Sequence, residues 1–280
     1  MKTATWKLSL AGLGLALSTL LLPGCGSSNS VDDVFSLPQF NTPAPGPAPV
    51  ATYQVLNRYP HATDAFTQGL LYANGRLYES TGLEGESSLR EVDLTTGNVL
   101  RQVDNDPQVF AEGLALRAGQ LYQLTLDEGL AYIWDRGSFA PVGTVNSRIP
   151  AWGLTYIAST DRFVFSDGTS TLRFLNSSFQ ETGSLNVTDN GVAVDDLNEL
   201  EYVRGYILAN RFLTDEIVAI DPTTGVIAFR VDLTDIIDKE ANGLGLNDVL
   251  NGIAFDPDGT GIYVTGKRWP YLYHILIVEQ

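Results

Sequence analysis

One pattern recurs along this chain and limits what it can fold into. In the stretch Phe110 to Leu126, FAEGLALRAGQLYQLTL, a Gly-Leu-x-Leu segment leads through a short turn to Leu-Tyr and a polar stop. Related segments open at Gln68, Glu112, Trp152, Asn198 and Asn251, so the steps between them are 44, 40, 46 and 53 residues. A repeat of about 40–50 residues built from short strands predicts an all-β fold, a β-propeller with one blade per repeat and five blades. If each segment begins the innermost strand of its blade, the five opening side chains ring one mouth of a central channel.

The repeats do not account for the N-terminus. Lys2 and Lys7, an apolar run from Leu8 to Leu22, then Gly24 and Cys25 read as a secretory signal over residues 1–25. Leu22-Pro-Gly-Cys25 resembles a lipobox, which would make Cys25 a lipidation site, and this cysteine is the only one in the sequence. No Asp follows it, so the expected location is exported and lipid-anchored, on the outer membrane facing the periplasm. Residues 26–50 are rich in Ser, Asn and Pro, with Pro43, Pro45, Pro47 and Pro49 alternating, and read as an extended tether. Residues 51–280 remain for the propeller, 46 per blade.

Composition excludes some partners. The formal charge is −16, and removal of Lys2 and Lys7 with the leader takes it to −18. Such a surface disfavours nucleic acid and anionic lipid headgroups, and attracts cations such as the free amino end of a peptide. A monomer is expected.

Thr52 to Arg58 alternates like a strand ahead of the first repeat, and Tyr271 to Val278 is a strand with nothing after it. The two ends are expected to pair, with the N-terminal strand closing the last blade. Asp93-Leu-Thr-Thr-Gly97 and Asp221-Pro-Thr-Thr-Gly225 read as tight turns between outer strands, and Asp256-Pro-Asp-Gly259 as an ordinary turn rather than a calcium loop. Lys239 to Val249 reads as a short helix or ordered loop.

The chemistry on offer is narrow. Two histidines, His61 and His274, disfavour a multi-histidine zinc site and a Ser-His-Asp arrangement, and no phosphate-binding glycine loop is present. His61 reads as support for the loop ahead of the first repeat, and His274 lies in a strand. Aligning the second strands on their Leu-Tyr-like pairs places Lys267 level with Arg211, Leu126, Gly82 and Gly168. Lys267 then shares a mouth with Glu112, where a partly dried carboxylate beside an ammonium can move protons near neutral pH.

The strings AFTQGLLY (65–72), FAEGLAL (110–116), LYQLT (121–125), LNELEYV (197–203) and VTGKRWP (264–270) resemble those of the plant-type glutaminyl-peptide cyclotransferases, five-bladed propellers also found in bacteria. The resemblance covers nearly all of 51–280. It implies conversion of an N-terminal glutamine to 5-oxoproline with release of ammonia, on peptide or protein substrates and with no required cofactor. It leaves room for a structural calcium in the channel. It further implies Glu112, Lys267 and Asn198 as catalytic residues. Gln68, Trp152, Asn251, Trp269, Phe212, Leu126 and Arg211 are implied as substrate-binding residues. Two indoles common in the family are replaced, by Leu126 after LYQLT and by Phe212-Leu213 where a Trp-Gln pair is usual.

Two other readings fit the same residues. A non-catalytic lipoprotein could use the mouth to hold a peptide or partner. A metal-dependent, lactonase-like propeller could use oxygens of Glu112, Asn198 and Asn251 around one divalent ion.

Overall fold

A hairpin built on a two-residue turn is the unit from which the chain is assembled. Asn74-Gly75, Ala118-Gly119 and Arg204-Gly205 each have positive φ at both positions. This conformation matches the twist of the flanking strands and keeps the first and second strands of a unit in register. Outer hairpins close on the aspartate turns expected from sequence. The Asp93 carboxylate accepts the N–H groups of Thr95 and Thr96 at 3.2 and 3.0 Å, while Gly97 N–H donates to the Asp93 carbonyl. Asp221 and Gly225 repeat that closure.

The computed structural model describes residues 36–39, 46–127, 129–147 and 150–279, all within one compact unit. The leader and Cys25 lie outside the described residues. Strand β1 (Val50–Pro60) is followed by a meander of β2 (Thr67–Ala73), β3 (Arg76–Thr81), β4 (Ser88–Val92) and β5 (Val99–Asp104). A second holds β6 (Ala111–Arg117), β7 (Gln120–Thr125), β8 (Leu130–Asp135) and β9 (Pro141–Asn146). The third holds β10 (Leu154–Ile157), β11 (Arg162–Phe165), β12 (Thr171–Leu175) and β13 (Glu181–Asn186), and a small hairpin of β14 (Thr188–Asp189) and β15 (Val192–Ala193) follows. The remaining eight strands are β16 (Leu197–Val203), β17 (Tyr206–Arg211), β18 (Glu216–Ile220), β19 (Ile227–Asp232), β20 (Leu250–Phe255), β21 (Ile262–Gly266) and β22 (Tyr271–Val278), with β1 as the eighth. Ala158–Thr160, a single 3₁₀ turn, is the one helical element among the described residues. None is long and apolar enough to cross a membrane there.

The first three meanders are separate four-stranded antiparallel sheets, whereas β1 and the last seven strands form one sheet ordered β16-β17-β18-β19-β1-β22-β21-β20. Strand β1 makes that join. Val50 and Ala51 pair in parallel with Arg230 and Val231 of β19, and from Thr52 to Pro60 the strand runs antiparallel to β22. The first and last strands pair as expected. The stretch read as a tether does more than span a gap: Leu37 is 1 % exposed within an apolar cluster, and Ala48 is buried in another. Isolated apolar residues in a polar segment bury their side chains when a surface is within reach, and here one is.

The first strands touch in cyclic order, β2 to β6, β10, β16, β20 and back to β2. Apolar clusters fill the space between neighbouring meanders, as with Tyr122, Leu124, Leu154, Phe163 and Phe165. Strands walled on both faces carry near-continuous apolar runs, and each fully buried large side chain such as Phe163 contributes roughly 1.5–3 kcal/mol. Residues 239–249 form successive turns, not a helix; Leu244 N–H reaches the Lys239 carbonyl and Asp248 N–H the Gly245 carbonyl.

Candidate active site

Four of the five opening residues sit in bulges. Pairing of β2 with β3 slips between Thr67 and Gly69, of β6 with β7 between Ala111 and Leu114, of β16 with β17 between Leu197 and Leu200, and of β20 with β21 between Leu250 and Ile253. Each slip falls on the opener: Gln68, Glu112, Asn198 and Asn251. An extra residue in one strand bends it and re-aims the side chain, which is how an inner strand can turn a polar group out of the ladder. The glycine after the opener has its own reason. A Cβ on Gly153 would lie 2.0 Å from the Asn198 carbonyl oxygen, and one on Gly69 2.5 Å from Leu114 N, so neighbouring inner strands approach as closely as they do only without side chains there.

A cavity of about 230 Å³ opens at this end, lined by Phe66, Gln68, Phe110, Glu112, Leu126, Trp152, Asn198, Phe212, Asn247 and Lys267. A relay of amides fixes its carboxylate. Asn251 Nδ2 donates to the Thr67 carbonyl (3.0 Å) and to Gln68 Oε1 (3.1 Å); Gln68 Nε2 in turn donates to Glu112 Oε1 at 3.0 Å. With Oε1 engaged, Glu112 Oε2 is left buried without a partner, as is Asn198 Oδ1. Burial pushes the Glu112 carboxyl well above the ordinary range; Lys267 opposes the rise and Asp127 adds to it. Lys267 is 3 % exposed, and burial brings its ammonium down to about 8 against the pull of Glu112. Among the described residues Lys267 has no carboxylate within 4 Å. Its Nζ lies instead between two rings, 4.7 Å from the centre of Phe66 and 5.1 Å from that of Phe212. Acid and cation are therefore near enough to perturb each other without forming a closed salt bridge, and both stay available to a third molecule.

Comparison with known proteins gives the family. The glutamine cyclotransferase family model matches residues 31–277. The chain belongs to that family. It is 41 % identical over 238 residues to the glutaminyl-peptide cyclotransferase of Arabidopsis thaliana, covering 81 % of this chain and 71 % of the relative. The crystal structure of Myxococcus xanthus glutaminyl cyclase superposes with a TM-score of 0.77 at 34 % identity, over 83 % of this chain and 99 % of that one.

Within this glutamine cyclotransferase fold, most residues singled out from sequence converge on the cavity, and three do not line it. Arg211 is the first. Leu197 pairs with Arg211 as Ala111 does with Thr125, so the residue level with Leu126 and Lys267 is Phe212, one place later. Alternate residues of a strand face opposite ways, and a slip of one exchanges them. Arg211 accordingly turns away, with Nη1 3.0 Å from Glu216 Oε2, while Phe212 meets Trp152 edge-on at 5.5 Å between ring centres. Trp269 is the second. It is fully buried in the core, and its Nε1 donates to the Asp248 carbonyl at 2.8 Å. The third, Asn251, stands behind the lining and sets the orientation of the Gln68 amide. Gly168 leaves room for the Trp152 indole, since a Cβ there would lie 2.7 Å from the ring.

Sequence reasoning missed Asn247, in a long loop without pattern, and three buried carboxylates. Glu79 bonds to His61. Glu199 replaces the glycine of the other repeats, and its two oxygens accept the N–H groups of Leu70 (3.2 Å) and Ile253 (2.8 Å). Glu201 accepts from Phe255 N–H and the Thr155 hydroxyl, and burial lifts its pKa to about 8. These oxygens are spoken for by protein donors. Among the described residues no three carboxylate, His or Cys side chains converge as a calcium ligand set.

Proposed function

We propose that this protein is a glutaminyl-peptide cyclotransferase, closing the N-terminal glutamine of a peptide to 5-oxoproline and releasing ammonia. Family membership supports the class of reaction. The observation that carries it to residues is Glu112 Oε2, buried and unpartnered at a cavity shared with a lysine and an asparagine. The α-amine of the substrate enters with Oε2 as its acceptor, and Glu112 takes one proton from it. The amine nitrogen then bonds to the side-chain carbonyl carbon of the same residue, charging the oxygen, which Lys267 and Asn198 steady by hydrogen bonds. Collapse breaks the carbon–nitrogen bond of the amide, and Glu112 returns its proton to the departing nitrogen, which leaves as ammonia. Atoms balance without water or cofactor. Because both reacting groups belong to one residue, the enzyme's main task is to hold a reactive rotamer.

The same reading takes the meanders as the blades of a five-bladed propeller, supported by the cyclic contacts of the first strands. It takes Cys25 as a lipid anchor and the site as periplasmic, readings supported by the sequence ending at Pro-Gly-Cys. The lactonase-like alternative has three buried oxygens without partners, on Glu112, Asn198 and Asn251, in its favour. Against it, Lys267 lines the cavity that such a cation would enter, and Asn251 lies outside that lining. Incubating the protein with a Gln-led dipeptide tests the proposal: stoichiometric ammonia and 5-oxoproline are expected, and binding without turnover would leave a peptide-binding protein instead.

A further inference from the structure

His61, between β1 and β2, is a histidine with a buried side chain that the chemistry above does not use. Its Nδ1 lies 2.7 Å from the Trp269 carbonyl oxygen, and its Nε2 lies 3.0 Å from Glu79 Oε1. That carboxylate oxygen also accepts the Thr67 hydroxyl at 2.7 Å. Both facing atoms can only accept. A neutral imidazole has a single N–H, and would aim a lone pair at one of them; two N–H donors require the imidazolium. Burial on its own lowers the pKa of His61, but the Glu79 charge, the hydrogen bond to it and the bond to Trp269 outweigh burial, so the net displacement is upward. Glu79 is held below its ordinary value, burial being outweighed by His61 and Thr67. The charged groups acting on His61 are Glu79 of β3 and Arg90 of β4. Arg90 opposes the imidazolium and is itself bonded to Asp64 and Ser88. From β21 comes the Thr265 hydroxyl, 3.4 Å from Nδ1, and from the segment after it the Trp269 carbonyl.

The two segments joined here are those that build opposite parts of the site. Thr67 precedes Gln68, the donor to Glu112, and Trp269 follows Lys267 by two residues. Backbone bonds lace the same segments: His61 N–H to the Pro270 carbonyl at 2.9 Å, and Arg268 N–H to the Ala65 carbonyl at 2.7 Å. Phe66, in the stretch between His61 and Gln68, is one of the two rings against the Lys267 ammonium. We propose that the His61 imidazolium, locked to the Glu79 carboxylate, is a positioning residue that clamps the turn carrying Lys267 against the strand carrying Gln68. Its contribution to turnover rests on the cyclotransferase reading, whereas the clamp itself can be observed without turnover. An ammonium displaced by about 1 Å from the developing oxyanion forfeits up to about 10²-fold in rate, and the loss falls on the step rather than on binding.

The test uses the full chain with His61→Gln and Glu79→Gln. Nitrogen NMR of the imidazoles, assigned by loss of one signal in His61→Gln, is expected to show both His61 nitrogens protonated at pH 7, and deprotonation above the ordinary imidazole value of 6.5. Hydrogen exchange of residues 265–270 should quicken in His61→Gln. With a Gln-led dipeptide, kcat should fall about tenfold and KM change less than about twofold. Glu79→Gln keeps the shape but removes the counter-charge, so its kcat should decline at a lower pH than in the wild type; loss of a merely structural contact would lower kcat evenly across pH. A singly protonated His61 at pH 7, unchanged exchange at 265–270, or wild-type kcat in His61→Gln would each overturn the clamp. Should His61→Gln fail to fold, ring protonation in the wild type and the Glu79→Gln profile decide. A wild type that releases no ammonia would refute the cyclotransferase reading alone, and ring protonation with exchange would still decide the clamp.

Discussion

Glu112 and Lys267 are charges that folding has dried, and both cost stability for the sake of reactivity. A carboxyl whose folded pKa lies above its unfolded value favours the fold only at low pH, and that contribution is lost as the pH rises above the unfolded value of 4.5. Glu112→Gln keeps the shape and the bond from Gln68 but cannot carry a proton. We expect cyclisation to fall by about 10²-fold or more, while the melting temperature at pH 7 does not fall; an active variant would remove Glu112 from the mechanism. For Lys267 the folded value of about 8 lies below the unfolded 10.5, so the buried ammonium is a burden below pH 8 that disappears as the pH climbs through that interval. Lys267→Met should therefore stabilise the protein by about 1–3 kcal/mol at pH 7, with the gain shrinking towards pH 10.5. Its kcat should drop about 10²–10³-fold, the usual cost of one lost oxyanion donor. Denaturant midpoints at pH 7 and pH 10, with steady-state kinetics, check both halves.

At the scale of the strand, the bulge and the glycine beside it set where the site residues point. Gly153→Ala drives a Cβ into the Asn198 carbonyl, backbone against backbone, and neither strand can yield cheaply. A loss of about 1–3 kcal/mol is expected, with a fall in kcat because Asn198 moves. Gly143→Ala on the outer strand β9, where a Cβ meets nothing within 4 Å, is the control and should be near neutral in both. A Gly153→Ala protein with wild-type midpoint and kcat would show that the close approach is dispensable. The sequence made the bulged openers visible because they recur: a polar residue ahead of Gly-Leu stands out when the motif is repeated. Arg211 was placed one residue out of step because Leu-Tyr-like pairs mark the middle of a strand and not its bulge, and a register error of one swaps inward and outward faces. Trp269 stands close to Lys267 in sequence, but the tight turn after β21 sends its indole into the core. Glu79 and His61 are 18 residues apart, and His61 and Trp269 are 208 apart; no local pattern announces contacts made only when the ring of meanders closes.

For the molecule as a whole, the unequal charge becomes directional once the strands are placed. Glu112 and Asn198 near the starts of inner strands, and Leu126, Phe212 and Lys267 after the ends of second strands, all line the cavity, so the loops joining second to third strands and one meander to the next surround its mouth. Those loops carry the exposed acids Glu84, Glu86, Asp106, Asp127, Asp195 and Asp196, none of them in an ion pair within 4 Å among the described residues. Of the described cations there, Lys239 is bound to Asp215 and Arg268 approaches Asp248. The site therefore lies at the focus of a negative field, which draws the ammonium of any peptide N-terminus and draws harder when the next residues are basic. Such steering acts on the encounter and leaves the chemical step alone. At low salt a Gln-Lys-led peptide should show kcat/KM about tenfold above a Gln-Glu-led peptide of equal length, with kcat nearly equal. The Debye length is about 10 Å at 0.1 M salt and about 3 Å at 1 M, so the advantage should shrink severalfold across that range. Replacing Asp195 and Asp196 together by Asn should remove part of it at low salt and change kcat little. Equal kcat/KM for the two peptides at low salt, or a preference that survives 1 M salt, would mean that selection is made by contact inside the cavity and not by the field at its mouth.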